Sequence, residues 1–327
     1  MSSEETIIIP VASGKGGVGK SVLTANLGIA LAREGHSTVL VDLDLGGSNL
    51  HLYLGIPNDF AGVGDFLLAR SAALSDMLVE SGVDNLSFIP GDGRTPGMAN
   101  ITYAHKVRLI NNLKKIRAKY LLLDIGSGSS FHNLDFFGMA DRQILVITPD
   151  LPSIINALTF LKNYLFRALC RQFSRQRRIV TLLKEAQKQP ITSASFSVDD
   201  VLEDIAAIDP AASVTARELV RRCRPRIIFN QGSHCDQLKL IKQIDHALAS
   251  INVEGDYFGF VFFDPSVRES VGTSRSLLSD HPQSIAALGI AGIADRLSRR
   301  WEQEIPASGK LLREDTKRFQ HRHVTRN

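Results

Sequence analysis

The stretch Gly14-Lys15-Gly16-Gly17-Val18-Gly19-Lys20-Ser21 fits the pattern G-x-x-x-x-G-K-[ST], whose chemistry is the cradling of a polyphosphate. Glycines let successive backbone N–H groups curl around phosphate oxygens, and a helix starting at the loop's end adds the positive pole of its dipole. Residues from Val22 to Arg33 read as that helix. Lys20 is then expected to bridge the β- and γ-phosphates, and Ser21 to offer its hydroxyl to Mg2+. Lys15 is a second cation inside the loop, at a place where most phosphate loops carry no charge.

Such a loop works between a strand and a helix, and the chain supplies both. Short apolar runs recur at 6–12, 38–43, 86–90, 120–125, 143–148, 226–230 and 257–263, each followed by a helical period. Strands alternating with helices predict a doubly wound α/β fold: a mostly parallel sheet, helices on both faces, and ligand at the carboxyl ends of the strands. The run Tyr120-Leu121-Leu122-Leu123 has no in/out alternation, as expected for a central strand covered on both sides. Residues 153–224 break this rhythm and carry only helical periodicity, interrupted near 189–197, where Ser197-Val198-Asp199-Asp200 reads as a weakened capping box. They read as a helical elaboration of the sheet domain.

The string Lys15-Gly16-Gly17-Val18-Gly19-Lys20-Ser21 resembles the deviant Walker A motif of the MinD/ParA ATPases. The resemblance implies ATP and ADP as ligands, held with Mg2+ by residues 14–22 (Gly14 through Ser21, with Val22), and slow, partner-stimulated hydrolysis. It also implies that Lys15 reaches across the interface of an ATP-dependent homodimer, the alternative being a solvated loop charge. Val41-Asp42-Leu43-Asp44 is similar to the family's switch I, which makes Asp44 the candidate for orienting the attacking water and a member of the metal set. Asp42 is left as a strand-end residue or an outer-shell magnesium contact. Leu122-Leu123-Asp124-Ile125-Gly126-Ser127-Gly128 resembles switch II, so Asp124 would hold Mg2+ through water and Gly128 would free the backbone to approach the γ-phosphate. The catalytic set implied is therefore Lys15, Lys20, Asp44 and Asp124, and the metal set Ser21, Asp44 and Asp124. For the base, the resemblance points to Asn230 and to the loop of Asp264 and Pro265, each of which reads equally as a loop cap. Thr148-Pro149-Asp150-Leu151-Pro152-Ser153-Ile154 and Asp264-Pro265-Ser266-Val267-Arg268-Glu269-Ser270-Val271 look like the MinD-like branch that includes the flagellar-number regulators FlhG and FleN.

Composition limits the rest. The chain has 327 residues, 44% of them hydrophobic, enough for a sizeable core, and a net charge of +4 that falls short of a dedicated nucleic-acid binder. Its first residues are acidic, and no apolar run approaches the roughly 18 to 20 residues of a membrane span, so a cytoplasmic location is expected, with peripheral contact at a membrane or nucleoid open. Cys170, Cys223 and Cys235 form no C-x-x-C pair, which argues against a metal-cluster carrier and for core or incidental thiols. Between 162 and 188 lie Lys162, Arg167, Arg171, Arg175, Arg177, Arg178 and Lys184. Leucines packed on the sheet beneath a solvated basic face are the favoured reading. A basic amphipathic helix on anionic lipid, or on DNA as in a ParA-like partition ATPase, is the alternative. The ATPase domain is expected to span 1–306, and residues 307–327, polar and basic, to form a frayed tail. The function expected is an ATP-dependent dimerisation switch that regulates or positions a cellular assembly through an unidentified protein partner.

Overall fold

Apolar residues dominate every run that reads as a strand, and in the computed structural model, which describes residues 5–69, 72–91, 101–191 and 196–324, each becomes one. The strands are β1 (Ile7–Ala12), β2 (Thr38–Leu43), β3 (Val79–Glu80), β4 (Leu86–Ile89), β5 (Tyr120–Ile125), β6 (Ile144–Ile147), β7 (Arg226–Gly232) and β8 (Asp256–Phe262). They form one sheet in the order β3-β4-β2-β5-β1-β6-β7-β8. All neighbours are parallel except β3, which runs antiparallel to β4 through Val79 opposite Phe88 and Glu80 opposite Ser87. Two residues are too short to show alternation, which is why β3 is not legible in the sequence.

Successive residues of the central strands face two different cores. Val39 and Val41 pack on one face with Leu121 and Leu123. Leu40 and Leu122 pack on the other, with Leu23 and Leu27 of the helix Lys20–Arg33 and Ile290 and Ile293 of the helix Ile285–Arg300. Burial on both sides accounts for the unbroken apolar runs.

The helical elaboration is four helices, Leu151–Gln172, Arg177–Lys188, Val198–Ile208 and Pro210–Arg222. Their starts are locally encoded: Asp150 accepts from the Ser153 N–H at 2.9 Å, Ser197 from the Asp199 N–H at 3.1 Å, and Asp209 from Ala211 at 2.9 Å, with Pro210 at the first position. The basic stretch 162–188 is thus two helices and not one. Leu161, Leu165, Leu169, Leu183 and Ala186 lie inside the core, so the apolar face is not open to a lipid surface.

The expectation of a frayed tail is corrected. Ser308–His323 is a helix against β8, in which Phe319 stacks on Phe262 with centroids 5.8 Å apart and Ser308 Oγ accepts from the Tyr257 N–H at 3.0 Å. Its buried positions are Ser308, Leu312, Thr316 and Gln320, an i, i+4 stripe. Three of these four are polar, so a search for apolar periodicity passes over them. Residues 192–195 and 325–327, within two stretches read above, lie outside the described residues.

Candidate functional site

The strand order brings the three motif segments together. β2, β5 and β1 are neighbours, with Asp42 opposite Asp124 and Val11 opposite Asp124 in register. The glycine-rich loop after β1 therefore lies beside the segment after β2 and the end of β5, at the carboxyl edge of the sheet.

The loop is held from several sides. Gly14 backs onto the helix Leu151–Gln172 so closely that a Cβ there would overlap the Asn156 carbonyl carbon. Gly19 has φ +79° and faces the Asn230 amide, so it needs glycine on conformational and steric grounds. Beyond it opens a cleft of about 430 Å3, lined by Gly16 through Val22 with Asp44 and Ser127, and sharing Gly19 and Gln231 with a pocket of about 130 Å3 that Phe263 also lines.

Lys20 is buried at the cleft floor, its Nζ 2.7 Å from Asp124 Oδ1. Thr24 donates its hydroxyl to the same oxygen at 3.1 Å. Asp124 Oδ2 is buried and has no hydrogen-bond partner among the described residues. A carboxylate oxygen unsatisfied at this depth, with the Ser21 hydroxyl and the Asp44 loop on the same cleft, fits a divalent cation and its water.

Asp42 holds the segment that follows β2. Its Oδ2 accepts from the Ser48 hydroxyl at 2.6 Å and the Leu50 N–H at 3.1 Å, and its Oδ1 from the Asp44 N–H at 3.0 Å. Burial and then the Asp124 charge push its carboxyl up to about 7, against the three hydrogen bonds that favour ionisation. The segment after β5 is tied down in the same manner. The Gly128 N–H donates to Ser13 O at 3.1 Å, and Asn133 Nδ2 donates to Ser127 O and Gly128 O at 3.0 Å each.

Lys15 behaves differently from Lys20. It is absent from the lining of its own cleft, and its Nζ pairs with Asp150 Oδ1 at 3.2 Å, both side chains being partly exposed at 34% and 45%. Asp150 also receives the Thr148 hydroxyl. Partial burial works to raise the Asp150 carboxyl, but Thr148, the Ser153 N–H and Lys15 outweigh it and hold it below the usual range.

The base-side candidates separate. Asn230 and Asp264 line the 130 Å3 pocket, and Pro265 does not. Asn230 Nδ2 donates to Val18 O at 2.8 Å, joining β7 to the loop. Asp264 is a cap, with Oδ1 on the Ser266 N–H and Oδ2 on the Ala286 N–H, both at 3.0 Å. Sequence reasoning missed Thr24, Asn133, Asp150, Gln231 and Arg268. Only Thr24, one helical turn past Lys20, carries a local signal.

A model of the CobQ/CobB/MinD/ParA nucleotide binding domain matches residues 9–292. The chain belongs to this family. Among curated relatives, the septum site-determining protein MinD of Helicobacter pylori is 34% identical over 151 residues, 45% of this chain and 55% of that protein. The MinD of Synechocystis is 34% identical over 152 residues, 46% of this chain and 56% of that protein. The chain spans about half the length of the curated relatives it matches. Solved MinD/ParA structures share the fold. The Pyrococcus horikoshii MinD complexed with Mg-ADP superposes with TM-score 0.56 at 18% identity, covering 90% of this chain and 96% of that one. A chain of the Aquifex aeolicus MinC:MinD cell division protein complex gives 0.57 at 21%, covering 92% and 97%, and a Chlorobium tepidum ParA family ATPase 0.58 at 19%, covering 90% and 99%. The loop Gly14 to Ser21 and the cleft that it lines lie within the matched residues. No helix among the described residues is long and apolar enough to cross a membrane.

Proposed function

We propose that this chain is an ATP-dependent dimerisation switch that hydrolyses ATP slowly and, through its dimer, engages a protein partner to regulate or position a cellular assembly. The observation that carries the reading is the unequal placement of the two loop lysines: Lys20 lies on the cleft floor, and Lys15 is held at the rim, outside its own cleft. A cation on the rim is positioned to serve a nucleotide in a second copy, and the Mg-ADP complex of the Pyrococcus MinD supports ATP, ADP and Mg2+ as ligands.

In this reading Lys20 leaves Asp124 for the β- and γ-phosphates, as phosphoryl transfer asks chiefly for positioning and charge stabilisation. Ser21 and, through water, Asp124 hold Mg2+, which supplies further neutralisation of the phosphate charge. Asp44 lies against Gly126, where a Cβ would come within 3.2 Å of its Oδ1, and from there aligns the attacking water. The Gly128 N–H is the group that exchanges Ser13 O for a γ-phosphate oxygen. Asn230 and Asp264, which line the smaller pocket, shape the place for the base.

The test is light scattering during size-exclusion chromatography of the Asp44→Ala protein. A dimer with Mg-ATP and a monomer with Mg-ADP are expected. A monomer under both conditions would overturn the switch. Duplex DNA retained with a steep salt dependence would move the assignment to a ParA-like partition role.

A further inference from the structure

The helix Phe131–Phe137 starts three residues after Gly128, and its Asp135 lies at the centre of a charge cluster that the nucleotide site does not use. The Asp135 side chain is 1% exposed. Arg167 approaches it through Nε at 3.1 Å and Nη2 at 3.0 Å, Arg171 through Nη1 at 3.0 Å, and Lys106 through Nζ. Burial alone would raise the Asp135 carboxyl; the hydrogen bonds from Arg167 and Lys106 outweigh it and hold it below its ordinary range. Three cations therefore face one ionised carboxylate, and the excess positive charge is directed outward, with Arg171 55% exposed.

The same ground carries exposed aromatic rings and a hollow. Phe131 is 63% exposed with the Arg167 guanidinium 4.5 Å from its centroid, and Tyr103 is 68% exposed with Lys106 Nζ 5.2 Å away. Arg167, Arg171, Gly138 and Tyr164 line an adjoining cavity of about 400 Å3. Arginine beside aromatic rings, around a concave floor, is the composition of a protein–protein contact centre. A phosphate backbone asks for cations spread along a track. Here they converge on a single point, and the complement is a carboxylate-bearing side chain next to an apolar one.

This surface is wired to switch II. Asn133, on the same helix as Asp135, holds the carbonyls of Ser127 and Gly128, and the Gly128 N–H holds Ser13 of the phosphate loop. Any rearrangement of Gly128 pulls on the helix that Lys106, Arg167 and Arg171 grip.

We propose that Tyr103, Phe131, Arg167 and Arg171 form a docking site for an acidic segment of a partner protein, whose affinity changes with the nucleotide held in the cleft. The second half rests on the switch reading above, whereas the docking site stands on its own geometry.

The experiment is fluorescence anisotropy of a short labelled peptide of alternating glutamate and leucine on the full chain at low salt, nucleotide-free and with Mg-ATP. Arg171→Glu and Phe131→Ser, both at exposed positions, are expected to weaken binding about tenfold or more. Arg178→Glu, an exposed arginine one helix away, is the control for net charge and is expected to bind as wild type. Mg-ATP is expected to change wild-type affinity by about fivefold, an effect lost in Asn133→Ala. Absence of saturable binding, equal weakening in all three variants, or displacement of the peptide by duplex DNA or anionic vesicles at lower concentration than by unlabelled peptide would overturn the docking site. An affinity indifferent to Mg-ATP, in protein that still dimerises with it, would overturn the coupling. Failure to dimerise would remove the switch, and the nucleotide-free binding would still decide the docking site.

Discussion

Two lysines of one loop meet two aspartates in opposite surroundings. Lys20 and Asp124 pair inside the cleft with side chains 6% and 1% exposed, whereas Lys15 and Asp150 pair on its rim at 34% and 45%. A buried pair is costly to break because the abandoned charge stays in a medium that solvates it poorly, while a rim pair in water contributes little. The first therefore belongs to the folded state of the nucleotide-free protein, and the second can be broken at small cost.

The largest break in that contrast is Lys20→Ala, which strands Asp124 in the core. It is expected to lower the stability of the nucleotide-free protein by about 3–5 kcal/mol in denaturant unfolding, besides abolishing tight ATP binding. Next comes the carboxylate across from Asp124. Because Asp42 is raised from 3.8 to about 7 on folding, its contribution is fully present below pH 3.8 and is lost as pH rises through 7. Unfolding midpoints of the nucleotide-free protein are expected to carry that downward trend, and Asp42→Asn to flatten it. A wild-type curve with no such fall would show that Asp42 is ionised throughout. Lys15→Ala should cost no more than about 1 kcal/mol and should spare nucleotide binding by the monomer, yet block ATP-dependent dimerisation and turnover. Normal turnover in that variant would sink the sandwich dimer. The mildest change is Asp150→Asn, which keeps a good N-cap and removes the ion pair together with the carboxylate oxygen that accepts the Thr148 hydroxyl. Its unfolding midpoint should barely move, and its dimer should form at a lower ATP concentration than wild type if the rim pair restrains Lys15.

What could be read from the sequence follows the same divide. The phosphate loop, the strands that flank it and the aspartates at the ends of β2 and β5 are legible because each is a local pattern, and strand order then brings Asp42 and Asp124 into register without any further instruction. The partners of the cations are not local. Lys162 reads as one more charge on a basic face, yet its buried ammonium donates to Gln187 O and Gln189 O at the end of the next helix. Arg167 and Arg171 are drawn to Asp135, more than 30 residues upstream. Asp150 enters only as one member of the string Thr148 to Ile154, and nothing near it in sequence points to Lys15, 135 residues away. The final helix is hidden for a different reason, since Ser308, Thr316 and Gln320 occupy buried positions through hydrogen bonding or small size and not through apolarity.

That final helix bears on how copies of this chain can meet. An open parallel sheet ends in strands with unpaired backbone groups, which recruit other strands indiscriminately and lead to aggregation. At one margin β3 is only two residues long, too little to template an added strand. At the other, the seven-residue β8 is shielded by Ser308–His323, with the Ser308 hydroxyl taking the outward N–H of Tyr257. Among the described residues both features oppose sheet continuation, which favours self-association through the faces and ends of the molecule, where it can be made reversible. A chain truncated before Ser308 would expose the β8 margin, and its characteristic failure would be insoluble strand-to-strand growth, not a weaker grip on nucleotide.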